Sequence, residues 1–346
     1  MIRNKKIALI LVAMMLVSAF VACQGGTKPA ETPADKPAEG TEKPAEGAEK
    51  PAPAGGGEFI SIATGGTGGT YYPLGGAMAT ILNGSDMGVQ ATAQATGASV
   101  ENVELIHIGD AEVAFVQNDI AYYAFNGIEL FEGNKYEDIA GLATLYPEVV
   151  QIIAAANSGI ESVEDMAGKR IAVGAPGSGT EVNARQVLEI HGLTYEDLAL
   201  ADYLSFTEAT DQIKNGQVDA AFVVAAVPSS AVTELATTHD IKLVPIAEDK
   251  ANELIAKYPY YTYLDIATEE YRGFEGTVKG VAVQAMLIVN KDMDDELAYN
   301  ITKNIFTNLD AVAESHARGK DITIESALDG MPIEIHPGAQ RFFDEQ

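Results

Sequence analysis

Two short stretches concentrate glycine with hydroxyl side chains: TGGTGGTYYP at 64–73 and GAPGSGTEVN at 174–183. Glycine lets the backbone approach a ligand closely, and a turn built from it can aim several N–H groups at one point. If a helix starts at the turn, its unpaired first-turn amides and the positive end of its dipole suit a carboxylate or phosphate. In the first stretch Thr67, Thr70 and Tyr71 are the candidate donors, with Gly66 and Gly68 giving close approach. In the second, Gly177, Ser178 and Thr180 play this part, with Asn183 further into the helix. Ser178 and Glu181 also spell a capping box, which would occupy the Ser178 hydroxyl within the helix itself. Gly177 and Thr180 are not needed by such a box and are the firmer candidates. Asn183 has a solvent-facing helix position as its alternative, and Arg185 could pair with acids on its own helix. Tyr72, Tyr122 and Tyr123 have packing roles as theirs. Gln117 ends an apolar run and is either an amide facing a ligand or part of a helix start with Asn118 and Asp119.

The elements that must position these residues repeat. Each glycine stretch follows a short apolar run, at 59–63 and 171–173, and precedes a segment of helical period. Downstream of the first lies GDAEVAFV (109–116), and downstream of the second GQVDAAFV (216–223), with Glu112 and Asp219 at the same offset. The order strand, glycine turn, helix, then Ala-Phe-Val strand reads as two α/β units on one plan that share a ligand held from both sides.

Enzyme chemistry finds little support. Gly174 and Gly179 have the spacing of a nucleotide-binding loop, but Thr180 stands where its lysine belongs. Gly66 and Gly68 begin a dinucleotide fingerprint, and Tyr71 fills its third glycine position. Pro176 replaces the glycine that a hydrolase elbow needs before Ser178. His107, His191, His239, His316 and His336 are scattered, with no pair at metal-ligand spacing. No catalytic residue, cofactor or metal is expected.

The first 22 residues read as an export signal: Arg3, Lys5 and Lys6 precede an apolar run at 7–22, shorter than the ~20 residues of a spanning helix. Phe20-Val21-Ala22-Cys23 resembles a lipobox, which makes Cys23, the one cysteine, a lipidation site. Residues 23–57 form a tether, with KPAE at 28–31, 36–39 and 43–46 and KPAP at 50–53. The formal charge is −28; without the three basic residues of the signal, 19 basic side chains face 50 acidic ones, or −31. Nucleic acid and anionic lipid surfaces are therefore excluded as partners, and only the N-terminal lipid is expected to touch a membrane.

The stretches 64–83, 117–124 and 174–198, with YPYY at 258–261 and IHPGAQRFF at 335–343, resemble the TAXI family of solute-binding proteins that serve TRAP transporters. The resemblance covers most of 58–346. It implies an α/β, two-lobed type II periplasmic-binding-protein fold with a ligand cleft between lobes. It also implies a small carboxylate or acidic amino acid (glutamate, 2-oxoglutarate or similar) as solute and a TRAP-type membrane permease as partner. The chain departs from the family at 224–228, where Val-Ala-Ala-Val-Pro lacks a hydroxyl and a glycine on the expected cleft wall. The expected lobes are 58–149 plus 287–346 and 150–286, joined by apolar crossing segments near 149–154 and 281–289. A monomeric, extracytoplasmic lipoprotein that binds without turnover is expected. A ligand sensor, or an enzyme acting on a small carboxylate, are the alternatives.

Overall fold

The runs VAFVQ and AAFVVA carry no polar alternation, as befits strands covered on both faces, and every residue of each is buried. The computed structural model describes residues 57–346. The signal at 1–22, Cys23 and nearly all of the tether lie outside the described residues. The chain runs β1 (Phe59–Ala63), α1 (Tyr71–Asn83), β2 (Gln90–Gln94), α2 (Ser99–Ile108), β3 (Val113–Gln117), α3 (Asn118–Asn126) and a long β4 (Ile139–Ala155). It continues through β5 (Arg170–Ala172), α4 (Gly179–Ile190), β6 (Leu200–Asp202), α5 (Phe206–Lys214), β7 (Ala220–Ala225) and α6 (Ser230–Thr238). Then come β8 (Ile241–Leu243), α7 (Glu248–Lys257), β9 (Thr262–Ala267) and a second long strand, β10 (Thr277–Asn290). Helices α8 (Asp295–Phe306), α9 (Leu309–Ser315) and α10 (Pro337–Asp344) end it.

The repeat seen in the sequence is a repeat of topology. Strands β2-β1-β3 pair in parallel in that order, and β6-β5-β7 do the same. The matching acids have matching structural roles. Glu112 accepts a hydrogen bond from the Ser61 amide of β1 (2.6 Å), and Asp219 accepts one from the Arg170 amide of β5 (2.9 Å). Each ties the start of the third strand of its unit to the first.

The long strands β4 and β10 link the two units into one ten-stranded sheet. They pair antiparallel with each other over 139–149 and 282–290; β10 also pairs with β3, and β4 with β7 over 149–154. The apolar segments 149–154 and 281–289 lie in these strands. Pro147 faces Gln284 beside a register shift in β10, where the missing N–H of a proline costs no ladder bond. Helix α1 lies close on the sheet because Gly75 has no side chain: a Cβ there would fall 2.5 Å from Thr64 Cγ2. The first core surrounds α1, α8 and α10, with Leu74, Met78, Ile301 and Phe342 at its centre. A second apolar cluster packs α5 and α6 on β7.

Candidate functional site

Four helices begin at one cavity: α1 at Thr70 and Tyr71, α2 at Ala98 and Ser99, α4 at Ser178, Gly179 and Thr180, and α5 at Ser205 and Phe206. The strand–turn–helix order makes this convergence, since in an open α/β sheet each turn after a strand's carboxyl end opens on the same edge. The first-turn amides of a helix have no partner inside it. Those of Ser99, Gly179 and Thr180, and the Thr180 hydroxyl, make no hydrogen bond among the described residues. Val224 and Ala225 at the end of β7 close one side, where the expected hydroxyl and glycine are absent. The wall holds no lysine, arginine, histidine or cysteine. Arg185 instead lies 3.8 Å from both Glu129 and Glu181 and is off the wall. Among the described residues no group of three or more His, Cys, Asp or Glu side chains could hold a metal ion.

Of the residues singled out in the sequence, Gly66, Thr70, Tyr71, Gln117, Ser178 and Thr180 line the cavity. Several have work other than binding. Thr70 Oγ1 accepts from the Ala226 amide across the two units (3.2 Å), and the Tyr71 hydroxyl donates to Glu148 Oε2 (2.7 Å). Ser178 caps α4, accepting from the Glu181 amide (3.2 Å) and donating to the Ala175 carbonyl (2.7 Å). Glu181 does not complete a capping box, because its carboxylate accepts from the Tyr195 hydroxyl at 2.8 Å.

Thr67, Gly68, Gly177 and Asn183 are not on the wall. Thr67 is exposed at the loop tip. The Gly68 carbonyl accepts from the Ala231 amide (3.3 Å) and the Ser230 hydroxyl (2.9 Å) at the start of α6. In the same way the Gly177 carbonyl accepts from the Val100 and Glu101 amides (both 3.1 Å) at the start of α2. Each glycine loop therefore hands a carbonyl to a helix N-terminus on the other side of the cavity. Asn183 is fully buried: its Oδ1 accepts from Gln117 Nε2 (2.9 Å), while its Nδ2 donates to Asp119 (2.9 Å) and the Tyr261 hydroxyl (2.6 Å). It faces α3 rather than the cavity and holds Gln117 in place. Tyr123 packs in the interior, whereas Tyr72 is 37% exposed.

Glu148, which belongs to none of the glycine stretches or repeated motifs, lines the cavity and is 3% exposed. Burial pushes its carboxyl up to about 8; the Tyr71 hydroxyl opposes this, and Asp119 adds to it. Burial likewise raises Asp119 to about 6, partly offset by Asn183. One sequence signal was there to find: Glu148 is the single charged residue in the seventeen of β4. Ser99, Thr96 and Phe206 on the wall carried no such mark.

A model of the NMT1-like family matches residues 62–346. This chain belongs to the NMT1-like family. Solved structures of low sequence identity share the fold of this NMT1-like chain. PhnD1 from Prochlorococcus marinus MIT 9301, solved with methylphosphonate, matches over 77% of this chain and 91% of its own at 10% identity, with a TM-score of 0.50. A protein from Bordetella bronchiseptica RB50 matches over 82% of each chain at 18% identity and a TM-score of 0.51. The periplasmic aliphatic sulphonate-binding protein SsuA from Escherichia coli matches over 84% of each at 16% identity and a TM-score of 0.47. The NMT1-like chain thus has the mixed α/β, two-lobed fold of periplasmic binding proteins, with a cleft between the lobes.

Proposed function

We propose that this chain is the extracytoplasmic solute receptor of a transporter, of the TAXI kind that serves a TRAP-type permease. It closes on a small carboxylate, with glutamate and 2-oxoglutarate as the leading candidates, and binds it without turnover. The lobes are 58–149 with 287–346 and 150–286, and lipid on Cys23 tethers the protein to the membrane. The observation that carries the reading is the cavity walled by both repeated units, into which α1, α2, α4 and α5 point their N-termini. Free amides at Ser99, Gly179 and Thr180 can hold a carboxylate with no basic side chain, since the dipole ends supply the positive potential. Closure follows if a ligand touching both units favours the closed arrangement.

Two measurements test this. Mass spectrometry of small molecules released on denaturation identifies a co-purified solute and exposes turnover if the added compound is consumed. Melting with glutamate, 2-oxoglutarate, succinate and methylphosphonate then compares ligand classes. Ligand at ~100 times its dissociation constant stabilises the fold by about 2.7 kcal/mol. A shift with methylphosphonate and none with any carboxylate would sink the solute class. Failure to drive uptake with a TRAP permease in vesicles would sink the transport assignment.

A further inference from the structure

The cavity offers two opposite kinds of group side by side. Hydrogen-bond donors are the amides of Ser99, Gly179 and Thr180 and the Thr180 hydroxyl. Acceptors are the Glu148 carboxyl and Gln117 Oε1, 3% and 2% exposed by residue, and Gln117 Oε1 receives no hydrogen bond. Gln117 joins the two sets. Its Oε1 lies so near α4 that a Cβ on Gly179 would fall 1.5 Å from it, and its side chain is also beside Glu148. An anion fits the donors alone. A second anionic group beside Glu148 finds no cation on the wall and is tolerated only while that carboxyl keeps its proton, whereas an ammonium pairs with it ionised.

Resting on the reading that this cavity takes a small carboxylate, we infer that the solute is an α-amino acid whose ammonium group is received by Glu148, with Gln117 Oε1 beside it. Adjacent donors and acceptors match the adjacent carboxylate and ammonium of such a molecule. Glu148 is then the residue that selects an amine over the corresponding keto or deaminated acid. In the empty protein burial holds the Glu148 carboxyl protonated around neutral pH. When the ammonium arrives, Glu148 ionises and its proton leaves to solvent, so binding releases up to one proton. The groups facing Glu148 are Tyr71 from α1, Tyr146 on its own strand, Gln117 at the end of β3 and Asp119 from α3. Of these Asp119 titrates at about 6, so proton release above pH 7 is the part of the titration that reports Glu148.

The experiment is titration calorimetry between pH 6.5 and 8 in buffers of differing ionisation enthalpy. Its ligands are the twenty common amino acids, 2-oxoglutarate, succinate, pyruvate and methylphosphonate. An amino acid is expected to bind with proton release and with affinity rising by up to about tenfold per pH unit. It should bind at least tenfold tighter than its deaminated counterpart. In Glu148→Gln, checked for folding by circular dichroism, the amino acid should lose roughly thirtyfold or more while a deaminated acid loses little. Tighter binding of a deaminated acid, or affinity that falls as pH rises, overturns the inference and leaves the carboxylate reading standing. Binding of methylphosphonate alone, or of nothing in the panel, overturns both. The parent's pH profile and proton release decide the matter even if the variant does not fold.

Discussion

Glu148→Gln should make the empty protein more stable at alkaline pH while impairing its site. A carboxyl of ordinary pKa 4.5 in the unfolded chain that rises to about 8 in the fold binds its proton more tightly when folded. The sign follows: stability is full below about 4.5, where both states are protonated, and is lost as pH rises to about 8, where both are ionised. A rise of about 3.5 units at 1.36 kcal/mol each is about 5 kcal/mol of lost stability at pH 8.5 from this one group. Glutamine cannot ionise and keeps an acceptor for the Tyr71 hydroxyl. At pH 5 the variant should therefore melt within a few degrees of the parent, and at pH 8.5 higher by on the order of 10 °C. The surface carboxylates titrate in both proteins and cancel in the difference; Asp119 cancels only in part, because its charge also raises Glu148. The assay is thermal melting of ligand-free parent and variant at half-unit steps from pH 4.5 to 9. Parallel curves would refute the argument, because they would mean that Glu148 is ionised in the folded state at little cost.

Gly179→Ala drives the buried Gln117 side chain from the place where Asn183 holds it and should cut solute affinity at least tenfold, measured calorimetrically with the co-purified solute, and destabilise by about 1–3 kcal/mol. Thr70→Val removes the acceptor of the buried Ala226 amide, costing about 1–3 kcal/mol; small-angle scattering should report a more open empty form, and an unchanged profile would count against it. Gly75→Ala forces α1 away from Thr64 and should destabilise by about 1–3 kcal/mol, with affinity unchanged if α1 retains its N-terminus. Thr180→Ala removes one free hydroxyl and should weaken binding by about 0.5–1.5 kcal/mol, whereas Thr180→Asp should abolish it by like-charge repulsion.

What the sequence made legible was what is local. A glycine turn between an apolar run and a helical period declares a strand–helix junction, and the shared Gly…Ala-Phe-Val spacing declares two of them on one plan. The structure adds that Glu112 and Asp219 do the same structural job in each. The cavity residues were less legible because side-chain engagement is decided by distant partners. The Tyr71 hydroxyl goes to a residue 77 positions away and Thr70 Oγ1 to one 156 away. Asn183 was read on a helix whose register alone cannot say which face meets α3. Carboxylates fill this chain, so Glu148 was marked only as the single charge in the apolar run of β4, and the packing of that strand is what buries it.

The paired carbonyl contacts at Gly68 and Gly177 are made by main chain on both sides, the hydroxyls that reinforce Gly68 apart. Apart from Thr70, whose hydroxyl spans the two units, substitutions on the cavity wall can therefore change which solute is preferred without rewriting how the units meet. Discrimination and the meeting of the units become separately adjustable, so a lineage could exchange one ligand for another while the surface around these contacts keeps its shape.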